Sequence, residues 1–312
     1  MRLDFDHAQI LHDDLDSAAA AAVRLGFRPT PPGLHGQGLG TANVTVVMPD
    51  RATYFEVLAV TAPTERNAAK RAALAARGAH LFGAAFKADA RAAAVRLARL
   101  DMAEGPAFEF AREVDLPDGA AEARFAVAQL RDGTLPGLYA FVCQHFTPGR
   151  VWHPDCLDHP NGARAVAGLW GVTPDAAATA SACARLFGNA TQRSAEGVVI
   201  DSGAVRLRYL TPEAWAARFG EVVTAPPPTP QLRALEIAVT SAARLEDRLA
   251  GAGVTWQAAG RRRLVTEVQG FGTMLLFAVP RSDREPPLPA VPGNVMPRRR
   301  ARPGRPTGSN AR

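Results

Sequence analysis

Four times along its length the chain repeats one order of elements: a short apolar strand, a helix, then two or three further strands. A repeat of that size is a unit whose single apolar face must be buried against another copy. The first copy is the clearest and spans about Phe5–Thr61. His7 opens a strand running to Leu11, and Asp14-Leu15-Asp16 caps an alanine-rich helix that stops at Gly26. A Gly/Pro-rich passage leads to two extended runs, Asn43–Met48 and Tyr54–Val60, the second with a lone Glu56 among apolar residues.

A helix over Thr64–Ala76 connects this unit to the next. There, Leu81–Lys87 reads as a strand, Ala88–Leu100 as a helix, and Phe108–Val114, Ala121–Leu130 and Leu138–Gln144 as strands. Three prolines make Phe146–Gly162 irregular. A third copy then runs through strand Arg164–Thr173, helix Ala176–Phe187 and strand signals at Gln192–Ile200 and Ala204–Leu210. Pro174-Asp175 starts that helix and Gly188 stops it. Beyond the proline stretch Ala225–Pro230 come strand Leu232–Thr240, helix Ala242–Ala250, and strands near Arg263–Val268 and Thr273–Ala278. The expected division is a domain over 1–150, a degenerate second one with shortened hairpins over 160–280, and a disordered Pro/Arg-rich tail over 281–312.

The first unit resembles a glyoxalase-like domain of the vicinal oxygen chelate superfamily. The matching residues are His7-Ala8-Gln9-Ile10, Asp14-Leu15-Asp16, Leu25-Gly26-Phe27, Gly40-Thr41-Ala42-Asn43 and Phe55-Glu56-Val57-Leu58-Ala59-Val60. Gln144-His145 and His159-Pro160-Asn161-Gly162-Ala163 extend the match, which covers about residues 1–280. The resemblance implies an α+β fold in which βαβββ modules pair into curved, cup-shaped mixed sheets. It also implies that His7 and Glu56, 49 residues apart, are metal ligands on the first and last strands of a module. Imidazole and carboxylate suit Fe, Mn, Zn and Ni alike, so the pair does not select a metal.

Overlaying the second unit on the first places Phe82 opposite His7 and Phe141 opposite Glu56. Neither can bind a metal, so a full four-ligand site is not expected. His80, Gln144 and His145 are the substitutes, with His145 the third ligand favoured here. Glu56 is expected inside the cup, as ligand or general base, with burial raising its pKa. The alternative for His7 is a hydrogen-bonded histidine beside Asp4 and Asp6 that helps to bind an anion. His35, in the glycine-rich run Gly33–Gly40, is a candidate acid at a mobile lip or a plain loop residue. Asn43, Phe82, Phe141, Gln144 and Trp152 are the expected substrate contacts. The patch Gln144, His145, Trp152, His153, Asp155 and His159 either walls the cup mouth or pins a linker. No GxSxG elbow or phosphate-binding glycine motif is present.

The bulk properties set the remaining bounds. An apolar fraction of 47% with 21% charged residues describes a water-soluble globular chain, and no apolar run nears the roughly 18 residues of a membrane helix. The N-terminus reads as a strand rather than a signal peptide. Cys143, Cys156 and Cys183 lack CxxC spacing, which points to reduced thiols and a cytoplasmic location. The net charge of +6 lies entirely in residues 281–312, where eight Arg face one Asp and one Glu. A nucleic-acid partner is therefore not expected from the folded part. Lys70 and Lys87 are the only lysines, so the arginine excess reads as a GC-rich genome. The expected partner is a small oxygen-bearing molecule, with homodimerisation left open. The resemblance implies lyase, isomerase or dioxygenase-type chemistry on a divalent metal. The competing reading is a metal-free protein that sequesters a small molecule in an aromatic-walled cup.

Overall fold

Period-two alternation fixes which face of each strand meets the core. The computed structural model describes residues 2–36, 38–116, 119–220, 227–265 and 271–279. The first sheet contains β1 (Asp4–Leu11), β2 (Gly33–Leu34), β3 (Thr41–Val47), β4 (Tyr54–Val60), β5 (His80–Lys87), β6 (Phe108–Leu116), β7 (Gly119–Gln129) and β8 (Tyr139–His145). Their order across the sheet is β2-β3-β4-β1-β5-β8-β7-β6. The second sheet contains β9 (Ala163–Val172), β10 (Thr191–Ser194), β11 (Gly197–Ser202), β12 (Val205–Leu210), β13 (Gln231–Val239), β14 (Gln257–Ala259), β15 (Arg262–Val265) and β16 (Met274–Ala278). It repeats the same order, β10-β11-β12-β9-β13-β16-β15-β14. In each sheet two modules meet through their first strands, which pair antiparallel, while each module's last strand runs parallel to its first. The paired-module, cup-shaped α+β architecture expected from the sequence is the one found.

The helices are α1 (Leu15–Arg24), α2 (Ala68–Arg77), α3 (Ala90–Arg99), α4 (Ala176–Phe187), α5 (Pro212–Phe219) and α6 (Ala242–Gly251). Side-chain caps start five of them: Asp14, Asp89, Asp175, Thr211 and Ser241 each accept backbone N–H bonds. One face of each sheet and the small inner faces of α1, α3, α4 and α6 share a continuous apolar core. Ala18, Ala21 and Ala22 of α1 and Ala90 and Ala93 of α3 are fully buried there, which explains the alanine-rich helices as close-packing surfaces.

The segment between the sheets is tied down rather than loose. His159 Nδ1 accepts the N–H of Arg28 at 3.1 Å, and its Nε2 donates to the Val47 carbonyl at 2.9 Å. Asn161 Nδ2 donates to the Leu25 carbonyl at 3.0 Å, and the Val166 N–H reaches Thr53 Oγ1 at 3.0 Å. Most of the patch between Gln144 and His159 thus acts as a pinned linker.

Three expectations need correction or fall elsewhere. Gln192–Ile200 is the hairpin β10–β11, turned before Gly197, rather than one strand. Helix α5 had no counterpart in the sequence reading, although Thr211-Pro212 supplies both a cap and a proline in its first turn. The tail 281–312, Thr266–Val268 of the expected strand near Arg263–Val268, and Ala225-Pro226 lie outside the described residues. His159→Ala takes this partner from the buried Val47 carbonyl and the part-buried Arg28 N–H, so it should destabilise the protein by on the order of 2 kcal/mol. At about 2–4 °C per kcal/mol, the fall in melting temperature is readable by thermal unfolding. An unchanged melt would show that the linker does not hold the halves.

Candidate functional site

The face of the first sheet that turns away from the core lines a cup with about 770 Å³ of open space, its mouth included. Phe55 and Val57 enter the core from β4, so Tyr54, Glu56 and Leu58 enter the cup. The parallel register sets Gln9 beside Glu56 and His7 beside Tyr54. Asn43 comes from β3, Phe108, Phe110 and Arg112 from β6, Phe125 and Val127 from β7, and Tyr139 and Phe141 from β8. Lys70 reaches the cup from α2. That helix is held against the rim by Asn67, whose amide bonds the Leu39 and Ala62 carbonyls at 3.0 and 2.8 Å.

At the base, the register of β1 against β5 slips between Phe5 and His7. Such a slip re-aims a side chain, and it turns Asp6 to the same side as His7. Asp6 is fully buried, and its Oδ2 accepts from His7 Nδ1 at 2.7 Å and His145 Nε2 at 2.8 Å. Lys87 Nζ lies 3.5 Å from its other oxygen. Burial alone would raise the Asp6 pKa, but the hydrogen bonds and charges of His145 and His7 outweigh it and hold the carboxyl well below its ordinary range. Because an ionised carboxylate only accepts, His7 must carry its proton on Nδ1. Its Nε2 then faces Glu56 Oε1 at 3.7 Å.

Glu56 is buried, 5% exposed. Gln9 Nε2 donates to its Oε1 at 2.5 Å and the Asn43 amide donates to its Oε2. The remaining oxygens of both amides, Gln9 Oε1 and Asn43 Oδ1, are buried without a partner. Burial again raises the Glu56 pKa, yet His7, His35 and the two amides together depress it. The raised pKa expected from the sequence is therefore corrected: charge and hydrogen bonding beat desolvation, and Glu56 is an ionised acceptor. His35 lines the cup half-buried, with Nδ1 2.8 Å from Thr41 Oγ1. Burial and the cations Arg112, Lys70 and His7 lower its pKa to about 4, against the opposing pull of Glu56, so it is neutral near pH 7.

Residues 5–187 match the family model described as a glyoxalase-like domain. The chain belongs to that family. Three solved structures share the fold. One is a hypothetical protein from Staphylococcus aureus (13% identity, TM-score 0.59, 90% of this chain and 100% of that one). Another is a Mn(II)-bound glyoxalase from Novosphingobium aromaticivorans (12%, 0.52, 89% and 82%). A third is a mutant 4-hydroxymandelate synthase from Streptomyces coelicolor (14%, 0.51, 89% and 92%). No curated protein sequence matches the chain. The vicinal oxygen chelate resemblance read from the residues is thus borne out.

Within the glyoxalase-like cup, His7, Glu56, His35, Asn43 and Phe141 come together, and Phe141 packs edge-on to His7 at 5.4 Å. His145 gives its Nε2 to Asp6, and its Nδ1 is buried without a partner. Phe82 stacks on Tyr139 at 4.8 Å and is not part of the cup lining. Gln144 caps α3 by accepting the Ala90 N–H at 3.0 Å, and Trp152 packs edge-on to Tyr54 at 5.5 Å, so neither lines the cup. His80 turns its Nδ1 to the Gly78 carbonyl at 2.7 Å and does not line the cup. Asp6, Cys143 and His145 also bring ligand-type atoms within 4.8 Å of one another. Burial raises the Cys143 thiol far above its ordinary pKa. Gln9, Lys70, Arg112 and Tyr139 were missed in the sequence. The one signal for Lys70 was its rarity, as one of two lysines in an arginine-rich chain.

The second sheet has a buried carboxylate too, and there the space is filled. Glu236 accepts from Trp170 Nε1 at 2.7 Å and Arg262 Nε at 2.6 Å, while Trp215 and Phe219 of α5 pack beside Trp170.

The protonation states above set the sign of acid lability. Asp6, Glu56, His35, His80 and His159 all have depressed pKa values in the folded state, so the unfolded chain binds more protons as pH falls. Stability should drop from about pH 6.5, where unfolded histidines protonate, through about pH 4, where folded His35 does. The urea midpoint followed from pH 7.5 to 4.5 measures this, and a flat profile would contradict the assignment.

Proposed function

We propose that this protein binds a small oxygen-bearing metabolite in the first-sheet cup and holds a divalent cation there between His7 and Glu56. The observation that carries the reading is the 3.7 Å approach of His7 Nε2 to Glu56 Oε1. At that separation an imidazole nitrogen and a carboxylate oxygen are bridged by one shared proton or one shared cation. Two ligands about 2.1 Å from one ion lie at most about 4.2 Å apart, so this pair fits a shared ion. The Asp6 carboxylate on the far nitrogen of His7 is the arrangement that orients metal-binding imidazoles. The unpartnered oxygens of Gln9 and Asn43 add neutral acceptors beside the carboxylate.

A divalent ion in that place supplies Lewis-acid polarisation of a ligand oxygen. The chain's own residues do the rest. Asp6 fixes the His7 tautomer, Glu56 is a carboxylate ready to accept a proton, and the aromatic walls exclude water. Neutral His35 can offer a hydrogen bond from the rim. The substrate contacts in this reading are Asn43 and Phe141, and the reduced cysteines suit a cytoplasmic setting. A metal-free binding protein is the second reading, favoured by the amides that already cover both oxygens of Glu56.

Elemental mass spectrometry of the purified protein, dialysed against Mn, Fe, Zn or Ni, tests the proposal. Near-stoichiometric metal is expected, lost in His7→Ala and Glu56→Ala. Asp6→Asn should weaken metal affinity about 10–100-fold while leaving both ligands in place. Protein that takes up no metal under any of these conditions favours the metal-free reading.

A further inference from the structure

Lys70 and Arg112 are the two buried cations of the cup, 9% and 7% exposed. Neither forms an ion pair with a described carboxylate. Lys70 Nζ contacts the Tyr139 hydroxyl at 2.8 Å and lies 4.0 Å above the same ring. Arg112 stands beside Gly33, where its terminal nitrogen comes within 2.5 Å of the place a Cβ would take. The absent side chain leaves that space to the guanidinium.

A buried cation without a counter-charge is unfavourable, because desolvation is not offset by attraction. The second sheet shows how this chain settles such a group for structural purposes: Glu236 draws Arg262 to 2.6 Å and Arg208 to 3.5 Å. In the first cup the carboxylate and the cations are kept apart. Glu56 is satisfied by amides, while Lys70 and Arg112 face the open space together with Phe108, Phe110 and Phe125. With Arg66 at the rim over Phe108, the lining carries one lysine and two arginines against one carboxylate.

Resting on the assignment of this cup as the binding site, we infer that its ligand is an aromatic or similarly apolar-bodied carboxylate. Its anionic end is taken by Lys70 and Arg112 and its body lies against the phenylalanine wall. Arginine's planar fork suits a carboxylate in two-point contact, and the lysine adds a compact second charge. Ring walls reward a flat apolar body. Inorganic phosphate lacks such a body and has no use for the wall.

The test is calorimetric titration of the full-length protein with phenylacetate, 3-phenylpropionate, their amides, acetate and inorganic phosphate. Each is run with added Mn and again with EDTA. The carboxylates are expected to bind about 10–100-fold more tightly than the amides, the factor for hydrogen bonds to charged groups, and to surpass acetate and phosphate. That preference should persist in EDTA, so the inference can hold even if the metal assignment fails. Lys70→Met and Arg112→Gln should remove the preference, and Arg112→Lys should restore part of it. Arg112→Gln should melt no lower than the parent without ligand, since burial of the guanidinium outweighs the pull of Glu56 on it. Four results would overturn the inference: amides binding as well as acids, phosphate binding more tightly than the aromatic acids, loss of the preference in EDTA, or variants that bind like the parent. A lower melt for Arg112→Gln would do the same by marking Arg112 as structural.

Discussion

A carboxylate sealed inside a sheet must be surrounded by donors or it will not stay ionised. Glu56 is that group, and much of the first sheet follows from satisfying it. Strand β4 sends Phe55 and Val57 into the core, which forces Glu56 into the cup. Parallel pairing with β1 brings Gln9 alongside, and β3 brings Asn43. His7 then reaches the same carboxylate because Asp6 holds its opposite nitrogen. Electrostatics here overcome desolvation, and the outcome is an acceptor rather than a raised-pKa acid.

The two sheets share one topology and solve the same problem in opposite ways. In the second, arginines and a tryptophan close on Glu236, and α5 fills the remaining space with Trp215 and Phe219. In the first, amides settle the carboxylate and the cations remain apart from it. One interior is complete by itself and the other is built to be completed. That contrast, within a single chain, is the strongest physical argument for placing function in the first cup.

Much of this was legible in the sequence. The four repeats, the capped helices and the inward side of Glu56 were read from periodicity, end signals and the family resemblance. His145 shows where locality stops. Its place at the end of β8 was plain, but its Nε2 points to Asp6, a partner 139 residues away. Gln144 and Trp152 looked like cup residues because they neighbour the cup in sequence, yet alternation and the linker turn them elsewhere. Helix α2 read as a connector, and only packing against Gly40 made it the carrier of Lys70.

By itself the sequence determined the module, its repetition and the pairing of an imidazole strand with a carboxylate strand. A two-residue period and a few caps suffice for the module and its repetition, and the family resemblance implied the strand pairing. Tertiary structure decided the chemistry of the cup. A register slip turned Asp6 inward, the edge hairpin β6–β7 delivered Arg112, and long-range charge set the protonation of Glu56 and His35. Register and through-space charge depend on residues far apart in the chain, so no local pattern encodes them.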